Sequence, residues 1–317
     1  MQAIRQTSYL TFRDQFNADV IHGLSQPQKH ISSKYFYDNR GSRLFDAICQ
    51  LPEYYPYRTE LALLPKVAKE VDTIINGPFD IVEFGAGSLV KVRLLLTAMP
   101  RVAHYIPIDI ADEHLEKSSQ LLKQDFKSLP IQPVIADFTH RVKLPNHSDH
   151  PRMGFFPGST IGNFTPVQAQ AFLRHARDTL GEDAYLLIGV DIKKPPATLH
   201  RAYNDDAGVT AQFNQNVLAR INREIDGDFR LDQFHHYAFY NSPMSRIEMH
   251  LISKSDQSVC IGRTRFDFSE GESIHTENSH KYNTREFSQL AERSGWRSIK
   301  TWLDADRLFS VSLLKSQ

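Results

Sequence analysis

The sequence predicts an α/β fold in which a doubly wound, parallel β-sheet is joined by a second, α+β region inserted late in the chain. Three observations support this prediction. Short apolar strands alternate with helix-like stretches between residues 80 and 192, which is typical of a parallel sheet covered by helices. A glycine turn follows the first of these strands. After Pro195 and Pro196 the alternation stops, and strands of antiparallel character follow.

Each core strand is a short, mostly apolar run that ends in a turn or a polar residue. The predicted strands are 80–84, 104–110, 131–136, 152–156 and 184–192, and helical spacing is present at 91–99 and 113–123. The next helix has the clearest boundaries. Thr165 is a candidate N-cap, Pro166 the first helical residue and Gln168 the partner in a capping box. Gly181 is expected to end this helix.

The inserted region begins with a helix, because apolar residues recur at helical spacing from Val209 to Ile225. Alternating character then predicts strands in this region and a pair that completes the sheet. These strands are 245–253, 259–268, 297–303 and 308–314.

Two domains follow from this organisation. Residues 57–195 with 282–317 are predicted to form the sheet domain. The first 56 residues show little periodicity, and we expect them to pack with the insertion. The second domain is therefore predicted as 1–56 with 196–281.

The composition excludes several classes of protein. The 317 residues include 37 Lys and Arg and 37 Asp and Glu, so the zero net charge gives no indication of a nucleic acid or an anionic membrane as partner. Two cysteines, Cys49 and Cys260, cannot form a disulfide framework, which indicates a reducing compartment. The longest apolar run is too short to cross a bilayer, and the first residues lack the apolar core of a secretory signal. We therefore expect a cytoplasmic monomer that acts on a small molecule.

The turn after the first strand contains Glu83, Gly85 and Gly87 and ends at Ser88. Glycines allow a tight turn and the close approach of a ligand to the backbone, so Gly85 and Gly87 are candidate cofactor-binding residues. A dinucleotide fingerprint needs a third glycine where Val90 stands, which disfavours a pyrophosphate and a nicotinamide dehydrogenase. The acid at Glu83 instead suits a ligand that carries positive charge.

Polar residues follow the next two strands. Asp109 ends the second strand, where a carboxylate can accept both ribose hydroxyls, and Asp137 with Phe138 ends the third, where the edge and face of an adenine can be met. A nucleoside without phosphate and with a positive charge fits this series, and S-adenosylmethionine is such a ligand. Lys91 can reach the carboxylate of its methionine part. Taken singly, the glycines are equally well explained as a turn, the acids as caps and Lys91 as a solvated residue.

Motifs in order along nearly the whole chain resemble one family. They are Tyr35-Phe36-Tyr37-Asp38, Gly41-Ser42, Leu44-Phe45-Asp46, Leu51-Pro52-Glu53-Tyr54-Tyr55-Pro56, Gly158-Ser159-Thr160-Ile161-Gly162-Asn163, Ala202-Tyr203-Asn204-Asp205, Gly208-Val209-Thr210-Ala211, Phe213-Asn214, Asn216-Val217-Leu218, Ile247-Glu248-Met249 and Thr276-Glu277-Asn278-Ser279. From about residue 30 onward the sequence resembles the histidine-specific Nα-methyltransferases of the ergothioneine pathway.

The resemblance implies a class I methyltransferase core, Rossmann-like, and a second domain that covers the amino-acid site. It implies three successive methyl transfers to the α-amine of histidine, which give the trimethylated betaine hercynine. It also implies a role for each matched residue. S-adenosylmethionine would be held by Gly85, Lys91, Asp109, Asp137 and Phe138. The substrate carboxylate would be held by Asn163 and Tyr203, and the amine would lie near Tyr37 and the Gly158 backbone. The imidazole would be held by Tyr54, Glu277 and Ser279, in a pocket lined by Phe45 and Met249.

These residue types suit the chemistry. Methyl transfer from a sulfonium needs a neutral, well-positioned amine and no covalent nucleophile. Tyr37 is the nearest candidate to steer the departing ammonium proton. Asn163 and Tyr203 are uncharged donors, and Glu277 can accept from a ring N–H, so we expect Glu277 to set the choice of side chain.

Two other functions stay open at this point. The same N-methylation could act on tryptophan or tyrosine, or the chain could bind the cofactor without catalysis. No metal is expected, because the fourteen histidines show no HExxH motif, and the pairs His235-His236 and His147/His150 have the character of surface residues.

Overall fold

The computed structural model describes residues 4–5, 12–87, 89–145 and 150–317. It divides into two compact units. The first contains the strand Ile4–Arg5, Pro56–Lys193 and Lys281–Gln317, and the second contains Lys194–His280 with the described part of Thr7–Tyr55. The placement of Ile4–Arg5 differs from the prediction that the whole segment 1–56 goes with the insertion.

The strands and helices of the described residues are numbered in chain order. The strands are β1 (Ile4–Arg5), β2 (Phe79–Phe84), β3 (Val102–Asp109), β4 (Val134–Ile135), β5 (Arg152–Phe156), β6 (Tyr185–Asp191), β7 (Phe234–Asn241), β8 (Arg246–Ser253), β9 (Gln257–Ile261), β10 (Thr264–Phe268), β11 (Ser273–His280), β12 (Trp296–Leu303) and β13 (Phe309–Ser316). The α-helices are α1 (Phe12–Leu24), α2 (Asn39–Cys49), α3 (Tyr55–Ile74), α4 (Val90–Ala98), α5 (Asp112–Asp125), α6 (Pro166–Leu180), α7 (Pro196–Tyr203), α8 (Val209–Glu224) and α9 (Thr284–Glu292).

The first unit is built on one eight-stranded sheet, in the order β1-β4-β3-β2-β5-β6-β13-β12. Strands β2 to β6 are parallel, and β13 runs antiparallel to β6. From β2, near the middle of the sheet, the chain winds outward to β4 and then returns to β5 on the other side of β2. The predicted doubly wound sheet is confirmed, and ligands in such sheets bind at the carboxyl ends of the strands near this reversal.

Apolar layers cover both faces of this sheet. Buried side chains of α3, α4 and α5 pack on one face, and those of α6 and α9 pack on the other. Helix α6 begins and ends where the sequence predicts, because Thr165 and Gln168 form both hydrogen bonds of the capping box and Gly181 follows the last residue with a φ of 91°. Its boundaries are local properties of the sequence.

Strand β4 is much shorter than the predicted strand 131–136. Only Val134 and Ile135 pair regularly with β3, and Ile131 makes an isolated bridge to Tyr105. Pro133 lies between these two points and has no N–H to donate to a ladder.

The second unit contains an antiparallel sheet in the order β11-β8-β7 and a separate hairpin, β9-β10. The predicted strand 259–268 is this hairpin, which turns at Gly262 with a φ of 54°. Strands β7 and β11 were not predicted. Residues 12–55 are also more regular than expected, since they contain α1 and α2. Among the residues that the structure describes, no helix has both the length and the apolar character to cross a membrane.

Candidate functional site

The glycine turn after β2 lies against the end of β3. Gly85 and Gly87 have φ values of 72° and 51°, a region that favours glycine. A Cβ atom on Gly85 would lie 3.1 Å from the Phe138 ring, whereas a Cβ on Gly87 would meet nothing within 4 Å. Gly85 therefore makes room for Phe138, and Gly87 leaves backbone open to a ligand. Ser88 lies outside the described residues.

Asp109 connects the end of β3 to this turn. Its carboxylate accepts the Gly87 N–H at 3.1 Å and the Ala111 N–H at 3.0 Å. Burial raises the pKa of Asp109, and these backbone donors oppose the rise. Each carboxylate oxygen can accept a further hydrogen bond. These contacts give Asp109 a structural role in holding the glycine turn, and its role as a partner for ribose hydroxyls stays a prediction.

Asp137 and Phe138 follow β4 at the same edge of the sheet. Asp137 accepts from the backbone N–H of Thr139 at 2.9 Å, so it caps a turn as well as standing at a strand end. The Phe138 ring packs at 5.7 Å from the Phe156 ring and 6.0 Å from that of Phe172, and is only partly buried. The Phe138 ring therefore packs against the core and keeps part of its surface exposed.

The residues at this edge fit S-adenosylmethionine. The open backbone at Gly87, the carboxylate of Asp109 and the partly exposed ring of Phe138 provide a turn, an acceptor and an apolar surface on consecutive strand ends.

Lys91 is partly buried and forms an ion pair. Its Nζ lies 2.6 Å from Oε2 of Glu60, whose side chain is completely buried. The Glu60 carboxylate also accepts the backbone N–H of Gly158, at 2.9 and 3.0 Å from its two oxygens. A Cβ on Gly189 in β6 would overlap Oε1 of Glu60, so the absence of a side chain there creates the space for the carboxylate. Glu60 thus contacts both Lys91, a predicted cofactor residue, and the backbone of Gly158, which is predicted to sit near the substrate amine.

The loop after β5 reverses sharply at Gly158 and Ser159, with φ values of 79° and 57°. The Ser159 hydroxyl oxygen accepts the backbone N–H of Asp191 at the end of β6. Asn163 ends the short 3-10 helix Thr160–Asn163 and is half-buried. In this loop the left-handed conformation is taken by Ser159 and not by Asn163.

Glu83 was expected to face a cationic ligand, but in the structure its side chain is buried and hydrogen-bonded to Tyr105. It is 1% exposed, and the Tyr105 hydroxyl donates to its carboxyl at 2.5 Å. Burial raises the pKa of Glu83 to about 8, opposed by Tyr105 and Lys91 and assisted by the negative charge of Asp109 and Glu60. At neutral pH this carboxyl is therefore mostly protonated.

The raised pKa of Glu83 predicts a pH-dependent stability. Because the folded state holds this proton up to about pH 8 and the unfolded chain releases it near 4.5, stability should fall as pH rises between these values, by about 1 kcal/mol per pH unit. Glu83→Gln keeps the shape and removes the titration. Urea unfolding of both proteins at pH 6 and pH 8 measures the difference, and parallel losses in both would contradict the assignment.

The second unit gathers most of the predicted substrate residues around one aromatic cluster. Tyr37 lies edge-on to Phe45, Phe45 to Tyr54 and Tyr54 to Tyr203, with ring centroids 5.6 to 6.3 Å apart. Phe213 of α8, which was not assigned to the site, packs against both Tyr37 and Phe45. Side chains that are far apart in the sequence are thus brought together.

Local sequence explains how Tyr37 and Phe45 are held. Asp38 caps helix α2 by accepting the Gly41 N–H at 2.7 Å, and Asn216 and Arg223 of α8 donate to the same carboxylate. A Cβ on Gly41 would overlap the Phe36 carbonyl oxygen. The motif around Tyr37 is therefore a helix start attached to α8.

Met249 and Ser279 are buried, Glu277 is half-buried, and all three lie in the sheet that α7 and α8 cover. The Tyr203 hydroxyl donates to the Ser279 hydroxyl at 2.8 Å. Burial raises the pKa of Tyr54 well above its usual range, and the nearby Tyr203, Tyr37 and Glu277 add to the rise. Glu277 is therefore close enough to the aromatic cluster to act on Tyr54 through its charge.

Among the residues that the structure describes, two groups of acids and histidines have ligand atoms within 4.8 Å of one another. They are Asp80, His104 and His150, and Glu248, His250 and His275. In the first, a nitrogen of His104 lies 2.9 Å from the Asp80 carboxylate. In the second, Arg246 and Asn241 already donate to Glu248, which holds its pKa at about 2 against the effect of burial. A cation at that carboxylate disfavours a metal.

One of the four histidines predicted at the surface, His236, instead makes two hydrogen bonds inside the second unit. His150 lies beside Asp80 with 34% of its side chain exposed. His235 is exposed as predicted, and His147 lies outside the described residues. The absence of a catalytic metal stays a prediction.

Sequence reasoning missed residues that act through others. Glu60 gave no signal, because one acid in an amphipathic helix is normally interpreted as solvated. Asn214 and Thr276 stand inside quoted motifs, yet only their contacts reveal a function. Both are buried and hydrogen-bonded to one another.

Comparison of the sequence with known proteins identifies a matching family. The family described as histidine-specific methyltransferase, SAM-dependent, matches residues 16–316. The histidine N-alpha-methyltransferase of Mycolicibacterium smegmatis is 40% identical over 302 residues, and that of Mycobacterium tuberculosis is 38% identical over 301 residues; both alignments cover 93% of each chain. The 4-dimethylallyltryptophan N-methyltransferase easF of Epichloe festucae var. lolii is 28% identical over 319 residues, again with 93% of each chain covered.

Proposed function

The chain belongs to the family of histidine-specific, S-adenosylmethionine-dependent methyltransferases, and from this premise we propose that it methylates the α-amino group of L-histidine. Three successive transfers would give Nα,Nα,Nα-trimethylhistidine, or hercynine, as the first step of ergothioneine biosynthesis. The fold is that of a class I methyltransferase, and S-adenosylmethionine is the methyl donor.

One observation carries the choice of histidine. The half-buried carboxylate of Glu277 lies opposite Met249 in the sheet of the second unit, and its charge adds to the raised pKa of Tyr54 in the aromatic cluster. An imidazole needs an acceptor for its ring N–H and aromatic or apolar surface for its faces, and both are present. An indole also has a ring N–H but needs more space. Because one relative is named as a 4-dimethylallyltryptophan N-methyltransferase, tryptophan is the main alternative to histidine as the substrate.

The reaction needs no covalent catalysis by the protein, which mainly positions the two reactants. S-adenosylmethionine supplies a methyl group already activated by the positive sulfur. The chain must hold the amine in line and allow it to lose its ammonium proton, because the cationic form has no lone pair. A nearby cation lowers the pKa of the amine, and Tyr37 is proposed to guide the released proton.

The proposed roles follow the residues of each unit. Gly85, Gly87, Lys91, Asp109, Asp137 and Phe138 are proposed to bind the donor, with Lys91 oriented by Glu60. The substrate carboxylate is proposed to bind to Asn163 and Tyr203. The imidazole is proposed to bind to Tyr54, Glu277 and Ser279, and its faces are proposed to pack against Phe45 and Met249. Gly158 is proposed to meet the amine through its backbone. Its N–H is already donated to Glu60, which leaves its carbonyl oxygen for this role.

The remaining features of the proposal concern setting. We propose a cytoplasmic monomer that needs no metal for catalysis and binds no nucleic acid, consistent with the zero net charge. Assays in the presence and absence of EDTA test the metal requirement, and light scattering tests the oligomeric state.

Mass spectrometry of the reaction tests the function directly. Purified protein with S-adenosylmethionine and L-histidine should yield products heavier by one, two and finally three methylene units. Parallel reactions with tryptophan and tyrosine should give little or no product. Methylation of an aromatic amino acid but not of histidine would refute the substrate, and no methylation of any amino acid would indicate a binding protein.

A further inference from the structure

Strand β11 contains one residue more than its partner at the point where it carries the predicted imidazole ligands. Ile274 and His275 lie opposite Leu251 and His250 of β8, but the next pair is Glu277 opposite Met249. Thr276 is the additional residue, so the strand has a β-bulge there. Such bulges change the direction of the side chains that follow them.

The bulge determines which face Glu277 occupies. Cross-strand partners point to the same face, and residues two apart in a strand share a face. Glu277 therefore shares a face with Met249, and Ser279, opposite Ile247, shares it too. In a regular strand paired from Ile274 onward, both would point to the opposite face, because a shift of one residue reverses every side chain.

Buried hydrogen bonds hold the bulge in place. The Thr276 hydroxyl lies 2.7 Å from Oδ1 of Asn214 and 3.0 Å from the carbonyl oxygen of Met249. Asn214 is completely buried in α8, and its amide group donates to the His250 carbonyl at 3.0 Å. Such a buried amide is costly to leave unpaired, so its partners are strongly specified.

The network continues to the other predicted substrate residues. The Asn214 amide also lies 2.9 Å from Nδ1 of His236, whose Nε2 lies 2.9 Å from the Tyr203 carbonyl oxygen. Burial lowers the pKa of His236, so the ring is neutral and these partners assign its proton to Nε2. The Tyr203 hydroxyl then donates to Ser279. The chain of contacts starts and ends on β11, on either side of Glu277.

We propose that Thr276, Asn214 and His236 are positioning residues for the selection of histidine. They keep the extra residue of β11 in place, and through it they present Glu277 and Ser279 on the face that carries Met249. The inference rests on the proposed function, in which Glu277 accepts the ring N–H of the substrate. None of the three needs to touch the substrate.

Thr276→Val tests the proposal, because valine keeps the shape and loses the hydroxyl. The KM for histidine should rise at least tenfold, while the KM for S-adenosylmethionine stays within twofold of wild type. The inhibition constant of L-2-thienylalanine should change less than threefold, because its five-membered ring has no N–H for Glu277. Thr276→Ser keeps the hydroxyl and should restore the KM for histidine to within threefold.

Thr179→Val is the matched control, since it removes another buried threonine hydroxyl, which accepts from the Val142 N–H beside helix α6. It should lower the melting temperature without changing either constant. If Thr276→Val does not fold, His236→Phe tests the same network and should give the same rise in KM.

Unchanged histidine KM in a folded Thr276→Val or His236→Phe would overturn the proposal, as would equal weakening of histidine and thienylalanine. A wild-type protein that does not methylate histidine would instead refute the proposed function.

Discussion

Replacing Glu277 by alanine is expected to weaken histidine binding by about 100-fold or more and to leave S-adenosylmethionine binding within about twofold. A site built to hydrogen-bond a ring N–H loses this much when the acceptor is absent, and a charged acceptor contributes more than a neutral one. Isothermal titration of each ligand measures both effects. Glu277→Gln keeps an acceptor without the charge and should fall between wild type and alanine.

Glu270→Ala is a suitable control, because Glu270 is an exposed acid of the same unit. It should leave both affinities unchanged. Histidine affinity within threefold of wild type in Glu277→Ala would contradict the assigned role. Equal loss of both ligands would instead indicate that the substitution disturbs the whole protein.

The second large effect concerns the ion pair between Lys281 and Asp191. Both side chains are completely buried, and Lys281 Nζ lies 2.7 Å from the Asp191 carboxylate. Lys281→Met keeps most of the side-chain volume but leaves the carboxylate without its charge partner. We expect a loss of about 3–5 kcal/mol in the free energy of unfolding, because an uncompensated buried charge is that unfavourable.

Urea unfolding measures this loss of stability. Two further variants test whether it arises from the buried, unpaired charge. The double variant Asp191→Asn, Lys281→Met removes both charges and should recover part of the stability. Lys315→Met breaks a partly exposed pair with Asp183 and should cost less than about 1 kcal/mol. Equal effects of Lys281→Met and Lys315→Met would show that burial does not decide the strength of this pair.

Prediction from the sequence succeeded where the signal is local. The alternation of strands and helices, the capping box at Thr165 and the stop at Gly181 depend on neighbouring residues, and the structure has them. The prediction of β4 was too long because Pro133 interrupts pairing with a strand that is distant in the sequence. Helices α1 and α2 were missed, although α2 has a local start signal in its N-cap residue Asp38.

The candidate site divides in the same way. The family motifs identify Tyr37, Phe45, Tyr54 and Tyr203 as candidates, and the structure brings their rings into one cluster. The motifs do not explain what holds Glu277. Alternation in β11 gives no sign of a bulge, because Thr276 is itself a good strand residue.

The sequence by itself determined the order of the core elements, the strand ends that carry the cofactor residues and the family. Only the tertiary structure decided which buried polar groups pair. Glu60 meets the Gly158 N–H across 98 residues, and Thr276 meets Asn214 across 62. A hydrophobic pattern indicates that a residue is buried, but a buried carboxylate or amide is stable only with a partner at a fixed distance and direction. That partner comes from a residue distant in the sequence, so it is determined by the fold of the whole chain and not by the neighbouring residues.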